Sequence, residues 1–294
     1  MIELQELTKE FSNGLGIFDL TFSVGEGEVF GYLGPNGAGK STTIRHMMGF
    51  LSPDSGLVRI NGLNCWTQTA KVQEQLGYLP GEISFLDNMN GLEFLDLMAG
   101  MRKLRDLHRR NKLVEQFELE VKTPIRKMSK GMKQKVGIVA AFMHQPQVLV
   151  LDEPTSGLDP LMQQRFLELI EEEKNRGATI FMSSHIFSEV ERVCDRVGIV
   201  KDGKLITVED VKSLRQVQRK VFTVGIGNTQ DEASLMSAGL QIVGRRGGEI
   251  DIEIKGDYNE FIQVLARCNI HSLDIHQLNL EEIFMHYYGS GEAH

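Results

Sequence analysis

Along the first two hundred residues, short apolar runs alternate with segments whose apolar residues recur every three or four positions. Glu28-Val29-Phe30-Gly31-Tyr32-Leu33 predicts a buried strand running into a Gly-rich turn, and the segment from Lys40 to Met48 predicts a helix. Gln147–Leu151 and Thr179–Ser183 are apolar runs bounded by turns or helices, as strands of a covered sheet are. Between them, Leu161, Phe166, Leu167 and Ile170 predict a helix over Pro160–Asn175, with Gly177 beyond its end. That strand–helix–strand order implies an α/β core with a largely parallel sheet. Residues from about 85 to 145 break the alternation. Asn90-Gly91-Leu92-Glu93 has capping-box spacing, and Leu92, Leu95, Met98 and Ala99 follow at helical intervals, which predicts a helical insert. Its basic residues, Arg102, Lys103, Arg105, Arg109, Arg110 and Lys112, are predicted to form a solvated helix face.

After Val197–Val200, Asp202-Gly203 predicts a hairpin leading to Lys204–Ile206. The pattern then changes. Lys220–Ile226, Glu249–Ile254 and His271–Gln277 read as strands, and Asp231–Ala238, Asp257–Arg267 and Leu280–Tyr287 as helices. The implied β-α-β-β-α-β order suggests a small α+β, ferredoxin-like domain over 213–294, behind a larger domain over 1–212.

Composition removes several classes of function. The net charge of −8 supplies no positive field to hold nucleic acid by its phosphates, so no nucleic-acid partner is expected. Cys65, Cys194 and Cys268 are scattered, which fits reduced cytosolic thiols and neither a disulfide framework nor a zinc module. Met1–Glu6 lacks the basic and apolar regions of a signal peptide. Val136–Met143 and Val148–Leu151 fall short of the roughly 20 residues of a spanning helix, so contact with a membrane is expected only through a partner.

Two segments carry chemistry on their own. Gly34-Pro35-Asn36-Gly37-Ala38-Gly39-Lys40-Ser41, followed by Thr42, fits G-x-x-x-x-G-K-[ST] at every fixed position, after a strand and before a helix. In such a loop the backbone N–H groups and the helix dipole face phosphate oxygens, Lys40 reaches the β- and γ-phosphates, and Ser41 binds Mg²⁺. Val148–Leu151 ends in Asp152 and Glu153, which a buried strand carries to the ligand-binding edge of the sheet. Asp152 is expected to hold Mg²⁺, and Glu153 to polarise the attacking water as general base.

Together with the segments below, these motifs make the chain resemble the ABC ATPase family. Ser129-Lys130-Gly131-Met132-Lys133-Gln134 is similar to its signature segment, and Pro154–Asp159 to the loop after its catalytic glutamate. His185 resembles its switch histidine, which contacts the γ-phosphate, and Phe11 the aromatic that stacks on adenine. The resemblance implies a P-loop NTPase core of ABC type, ATP and Mg²⁺ as ligands, and catalytic roles for Glu153, His185 and Lys40. It implies a second ATPase subunit, expected to be an identical copy, with Ser129 and Gly131 of one chain touching the γ-phosphate held by Gly34–Thr42 of the other. A separate polytopic membrane permease is the further partner, and the place is the cytoplasmic face of the cell membrane. Lys130, Met132 and Gly81 depart from the family pattern, which has a glutamine where Gly81 stands; Glu82 is the candidate replacement. Gly77–Glu82, the signature variant and Leu280–Phe284 together resemble bacterial exporters of drugs, antimicrobial peptides, polysaccharides or lipids. The competing reading is an ATPase of the same family that acts on nucleic acid, ribosomes or proteins; the acidic charge and the short span from Lys40 to Ser129 speak against it.

Overall fold

In the computed structural model, which describes residues 1–86, 88–216, 220–226, 235, 240–246, 248–254 and 258–277, the apolar runs pair side by side. β3 (Val29–Leu33), β6 (Leu76–Leu79), β7 (Val148–Asp152), β8 (Thr179–Ser184), β9 (Arg196–Lys201) and β10 (Lys204–Asp210) form a six-stranded sheet in the order β10-β9-β3-β8-β7-β6. The strands from β9 to β6 run parallel, whereas β10 returns antiparallel through the Asp202-Gly203 turn, so the sheet is mixed. Both turn residues have positive φ, 48° and 75°, the backbone a tight two-residue hairpin requires. Every residue of β3 and β7 is buried, because the sheet is covered by helices on one face and by a helix backed by a second sheet on the other.

That second sheet is antiparallel, in the order β2-β1-β4-β5, from Ile2–Glu10 (β1), Gly16–Val24 (β2), Ser55–Ile60 (β4) and Leu63–Asn64 (β5). The sequence reading delimits no strand there, although Leu20, Phe22 and Val24 alternate with exposed Thr21 and Ser23. Helix α1 (Lys40–Met47) lies between the sheets, and its Ile44 and Met47 share one core with Leu4 and Leu20 of the antiparallel sheet and Tyr32 and Val150 of the mixed one. The rings of Phe22, Phe30, Tyr32 and Phe181 stack across this core with centroids 5.2–6.2 Å apart. Each such ring contributes about 1.5–3 kcal/mol by leaving water. α2 (Thr69–Gln75) precedes β6.

The helical insert contains α3 (Gly91–Met101), α4 (His108–Gln116) and α5 (Lys130–Phe142). Its capping box is formed: Glu93 N donates to Asn90 Oδ1 at 3.0 Å and Asn90 N to Glu93 Oε2 at 2.8 Å. The basic run is not one solvated helix face, because the chain leaves the helix between Met101 and His108. Arg102 donates to the carbonyls of Gln73, Glu74 and Leu76, Arg109 pairs with Glu172 and Glu173, and buried Arg110 pairs with Asp96. A planar guanidinium with five donors answers several acceptors at once, so Arg102 and Arg109 fasten the insert to the core, while Arg110 ties α4 to α3 within it. α6 (Pro160–Asn175) begins where predicted, with Asp159 Oδ1 accepting from Met162 N at 3.0 Å; α7 (Phe187–Val193) lies between β8 and β9, and α8 (Val211–Gln216) follows β10.

The chain divides into two compact units, Met1–Val211 and Lys212–His294. In the second, β11 (Lys220–Ile226), β12 (Gln241–Arg246), β13 (Glu249–Ile254) and β14 (Ile270–Gln277) form an antiparallel sheet in the order β12-β13-β11-β14. α9 (Asn259–Leu265) packs Phe261 and Leu265 on Phe222, Val224, Ile250 and Ile252. Of the predicted helix Asp231–Ala238 only Leu235 is described, as helical and buried; Asp257 and Leu280–Tyr287 lie outside the described residues. Among the described residues no helix is long and apolar enough to cross a membrane.

Candidate nucleotide-binding site

Parallel pairing brings the C-terminal ends of four strands to one edge. Leu33 of β3 sits opposite Ser184 of β8, Asp152 of β7 opposite Ser183, and Leu79 of β6 opposite Leu151. The loop Gly34–Gly39, the turn Pro80–Glu82, the loop Glu153–Asp159 and His185 therefore converge there, at the edge where doubly wound sheets bind ligands.

The glycine loop ends at Gly39, which caps α1 with φ of 100°. A Cβ at that position would stand 2.7 Å from Ile17 Cγ2, so both the conformation and the packing call for glycine. Lys40, 5% exposed, donates from Nζ to the carbonyls of Gly34 and Pro35 at 2.8 and 3.0 Å and lies 3.3 Å from Glu153 Oε1. Three oxygens thus answer an ammonium that burial would otherwise penalise. A cavity of about 310 Å³ is lined by Phe11, Asn13 and Leu15 together with Asn36, Gly37, Gly39, Lys40, Ser41, Thr42 and Glu153. The first turn of α1 carries no acidic residue, which leaves the positive end of its dipole unopposed. Gly34 and Pro35 contribute through their carbonyls, while Ala38 belongs to the core.

At the acidic end, Ser183 Oγ donates to Asp152 Oδ1 at 2.6 Å and accepts from Glu153 N at 3.0 Å, so one hydroxyl orients both acids. Sequence reasoning missed Ser183: a serine at a strand end carries no signal until the neighbouring strand is known. Glu153 adopts φ of 45°, a left-handed conformation unusual outside glycine, asparagine and aspartate, and its Oε1 stands 3.5 Å from His185 Nδ1. Lys40, Glu153 and His185 therefore stand together at this edge. A second cavity, of about 430 Å³, is lined by Ser41, Asp152, Glu153, Gly81 and Glu82, with Arg45, Tyr78, Lys130 and Ser156 around it. A Cβ on Gly81 would press against Asp152 Oδ2 at 3.3 Å. Burial, with the Asp152 carboxylate second, pushes the Tyr78 phenol up to about 12.

Ser129 and Gly131 line neither cavity. Ser129 caps α5, its Oγ accepting from Met132 N at 3.2 Å, and a Cβ on Gly131 would meet the Gly157 carbonyl at 2.6 Å. Lys130 Nζ donates to Ser156 Oγ at 2.8 Å and Gln134 Nε2 to the Pro154 carbonyl at 2.7 Å, so the start of α5 is fastened to the loop behind Glu153.

Residues 17–156 match the family model described as ABC transporter. The bacitracin transport ATP-binding protein BcrA of Bacillus licheniformis is 35% identical over 248 residues, 82% of this chain and 80% of that protein. This chain belongs to the ABC transporter ATP-binding family. The linearmycin resistance ATP-binding protein LnrL of Bacillus subtilis (strain 168) is 31% identical across 98% of both chains. Among solved structures, an ATP-binding subunit of an ABC transporter shares 34% identity at a TM-score of 0.67, over 74% of this chain and 92% of its own. As an ABC ATPase, the chain binds ATP and hydrolyses it to drive transport.

Proposed function

We propose that two copies of this chain close around two ATP molecules and power a separate polytopic permease that exports an antibiotic or other drug-like compound. The observation that carries the reading is the convergence of Lys40, Glu153 and His185 at one sheet edge beside a phosphate-binding loop. Within it, Phe11 stacks on adenine, Gly34–Thr42 wrap the phosphates, Lys40 neutralises the transferred group, and His185 holds the γ-phosphate. Glu153 takes the proton of the attacking water. Ser129 and Gly131 complete the site of the opposite copy. The relatives named for bacitracin transport and linearmycin resistance support the direction and cargo class, and a bacterial ABC transporter cassette solved as a dimer supports the pairing.

The donor set fits Mg²⁺. The Ser41 hydroxyl and the Asp152 carboxylate line one cavity, and hard oxygen ligands suit a small divalent cation. When bound, the ion offsets charge on the phosphates. Glu82, on the same cavity wall, is assigned the polar contact that Gly81 cannot make, a role checked by ATP turnover of Glu82→Ala.

ATP binding favours the closed dimer because phosphate charge is shared by both halves, and hydrolysis removes that preference. The permease grips the helical insert of residues 85–145 and holds the subunit on the cytoplasmic face of the membrane. Residues 1–212 form the ATPase domain. Residues 213–294 form a ferredoxin-like module, supported by four antiparallel strands with a helix between β13 and β14, and serve dimerisation or permease contact. Glu153→Gln is expected to bind ATP, to turn it over at least about a hundredfold more slowly, and to accumulate as a closed dimer. Normal turnover in that variant removes Glu153 from its role. Recovery of the tagged subunit without a polytopic membrane protein, identified by mass spectrometry after gentle solubilisation, removes the permease.

A further inference from the structure

α7 carries a carboxyl group that the reading above leaves without a task. Glu189 is 4% exposed. Its Oε2 accepts from Ser184 Oγ at 3.1 Å, and its Oε1 is buried with no hydrogen-bond partner. The Thr155 hydroxyl faces the same carboxyl, and His185 and Glu153 are the charged groups acting on it. Burial raises its pKa, so it holds a proton more tightly than a surface glutamate does. A leucine would fill this volume without burying a polar group, so packing alone does not account for a carboxyl here.

Its neighbours are informative. Ser184 Oγ accepts from Ile186 N at 2.9 Å while donating to Glu189, so the residues on either side of His185 are tied together and held by this one carboxyl. Thr155 stands two positions after Glu153. Glu189 therefore faces both the turn that presents His185 and the loop that follows Glu153, the two side chains whose Nδ1 and Oε1 lie 3.5 Å apart.

We propose that Glu189 is a positioning residue that sets the distance between His185 and Glu153, holding Ser184 on one side and Thr155 on the other. It touches no substrate atom and acts through the backbone of His185. The proposal rests on the roles given above to Glu153 and His185.

The test is steady-state ATP turnover by the full chain carrying Glu189→Leu, Glu189→Gln, His185→Ala, or Glu189→Leu with His185→Ala. Glu189→Leu is expected to lower kcat roughly tenfold while KM for ATP changes less than about twofold, the split of a group that acts on the reacting arrangement and not on binding. Glu189→Gln still accepts from Ser184 and restores kcat to within about threefold of the parent. The double variant is no slower than His185→Ala, because displacing an absent imidazole costs nothing further. Additive losses in the double variant, or Glu189→Gln as slow as Glu189→Leu, overturn the proposal. If His185→Ala turns over ATP normally, the role of His185 fails and Glu189 falls with it. If His185→Ala is slow and Glu189→Leu is normal, only the positioning role fails. Should Glu189→Leu not fold, Ser184→Ala carries the same test, with a loss of similar size expected and an unchanged kcat overturning it.

Discussion

Replacing Glu173 by glutamine should destabilise this protein more than most single surface-to-core changes, and the structure says by how much. The carboxylate is 1% exposed, near the end of α6, and accepts from Arg109 Nη2 at 2.6 Å and from Arg176 Nε at 2.8 Å. Arg109 belongs to α4, so the group fastens the helical insert to the core. At an effective dielectric of about 20, a contact of 2.6 Å corresponds to about 6 kcal/mol of attraction. Withdrawing a carboxylate and two guanidinium groups from water offsets most of that, so the net value of the cluster is small. Breaking it is a different matter. Glutamine keeps the shape, but its amide nitrogen presents donors to a guanidinium that has only donors to give.

Removing one member of a buried ionic cluster costs about 3–5 kcal/mol. The lower end applies, because Arg109 retains Glu172 at 2.9 Å and Arg176 retains the Pro146 carbonyl. The assay is urea unfolding at pH 7 followed by far-ultraviolet circular dichroism. A loss of about 3 kcal/mol is expected in Glu173→Gln, and removing charge from both sides, in Arg109→Met with Glu173→Leu, should recover about 1–2 kcal/mol of it. A loss below about 1 kcal/mol in the single variant would refute the reasoning, since the cluster would then behave as an exposed salt bridge.

Stability should also fall in mild acid because of His144. Burial, with Arg102 adding to it, lowers its pKa from 6.5 to about 4, and its Nε2 meets the Leu76 carbonyl at 3.0 Å. Between those two values the unfolded chain binds a proton that the folded one refuses. Stability therefore drops as pH falls through that window, by up to about 1.4 kcal/mol per unit, and is unaffected by this group above it. His144→Gln should flatten the profile of urea midpoints against pH; an unchanged slope counts against it. Gly131→Ala should cut ATP turnover at least about tenfold with little loss of fold, because its methyl group meets the Gly157 carbonyl at 2.6 Å and displaces the loop behind Glu153. Turnover equal to the parent would mean that the contact opens freely.

What the sequence made legible is what depends on neighbours in the chain. The loop Gly34–Ser41, the capping box at Asn90 and Glu93, the cap at Asp159 and the Asp202-Gly203 hairpin are each settled by a few consecutive residues. The antiparallel sheet was not legible from the same reasoning. β1 pairs β2 with register shifts between Leu4 and Leu7 and again before Lys9, and such irregularities break the two-residue period that announces a strand. The arginines of the insert were misread for another reason. A guanidinium on a charged run looks the same whether it meets water or carbonyls, and the acceptors of Arg102 lie well before it in the chain, in α2 and at the start of β6. The acids at 152 and 153 stand out in the chain itself, but the hydroxyl of Ser183 that orients them does not, since β7 and β8 become neighbours only in the sheet.

That difference matters for how the site works. The groups that a motif names are held by groups that no motif names: Ser183 under Asp152 and Glu153, Gln134 under Pro154, Lys130 against Ser156. The last two belong to α5, a helix of the insert, and the loop they hold begins at a glutamate with φ of 45°. A residue kept in that conformation persists only while its surroundings over-determine it, at a cost of about 1–3 kcal/mol. The fastening of α5 is part of those surroundings. The loop that begins at the carboxylate beside Lys40 is therefore tied by two side chains to the first turns of α5. Packed contacts of this kind switch between discrete arrangements and do not stretch continuously, which is what an ATPase needs if a bond broken at one edge of a sheet is to be felt at its helical insert.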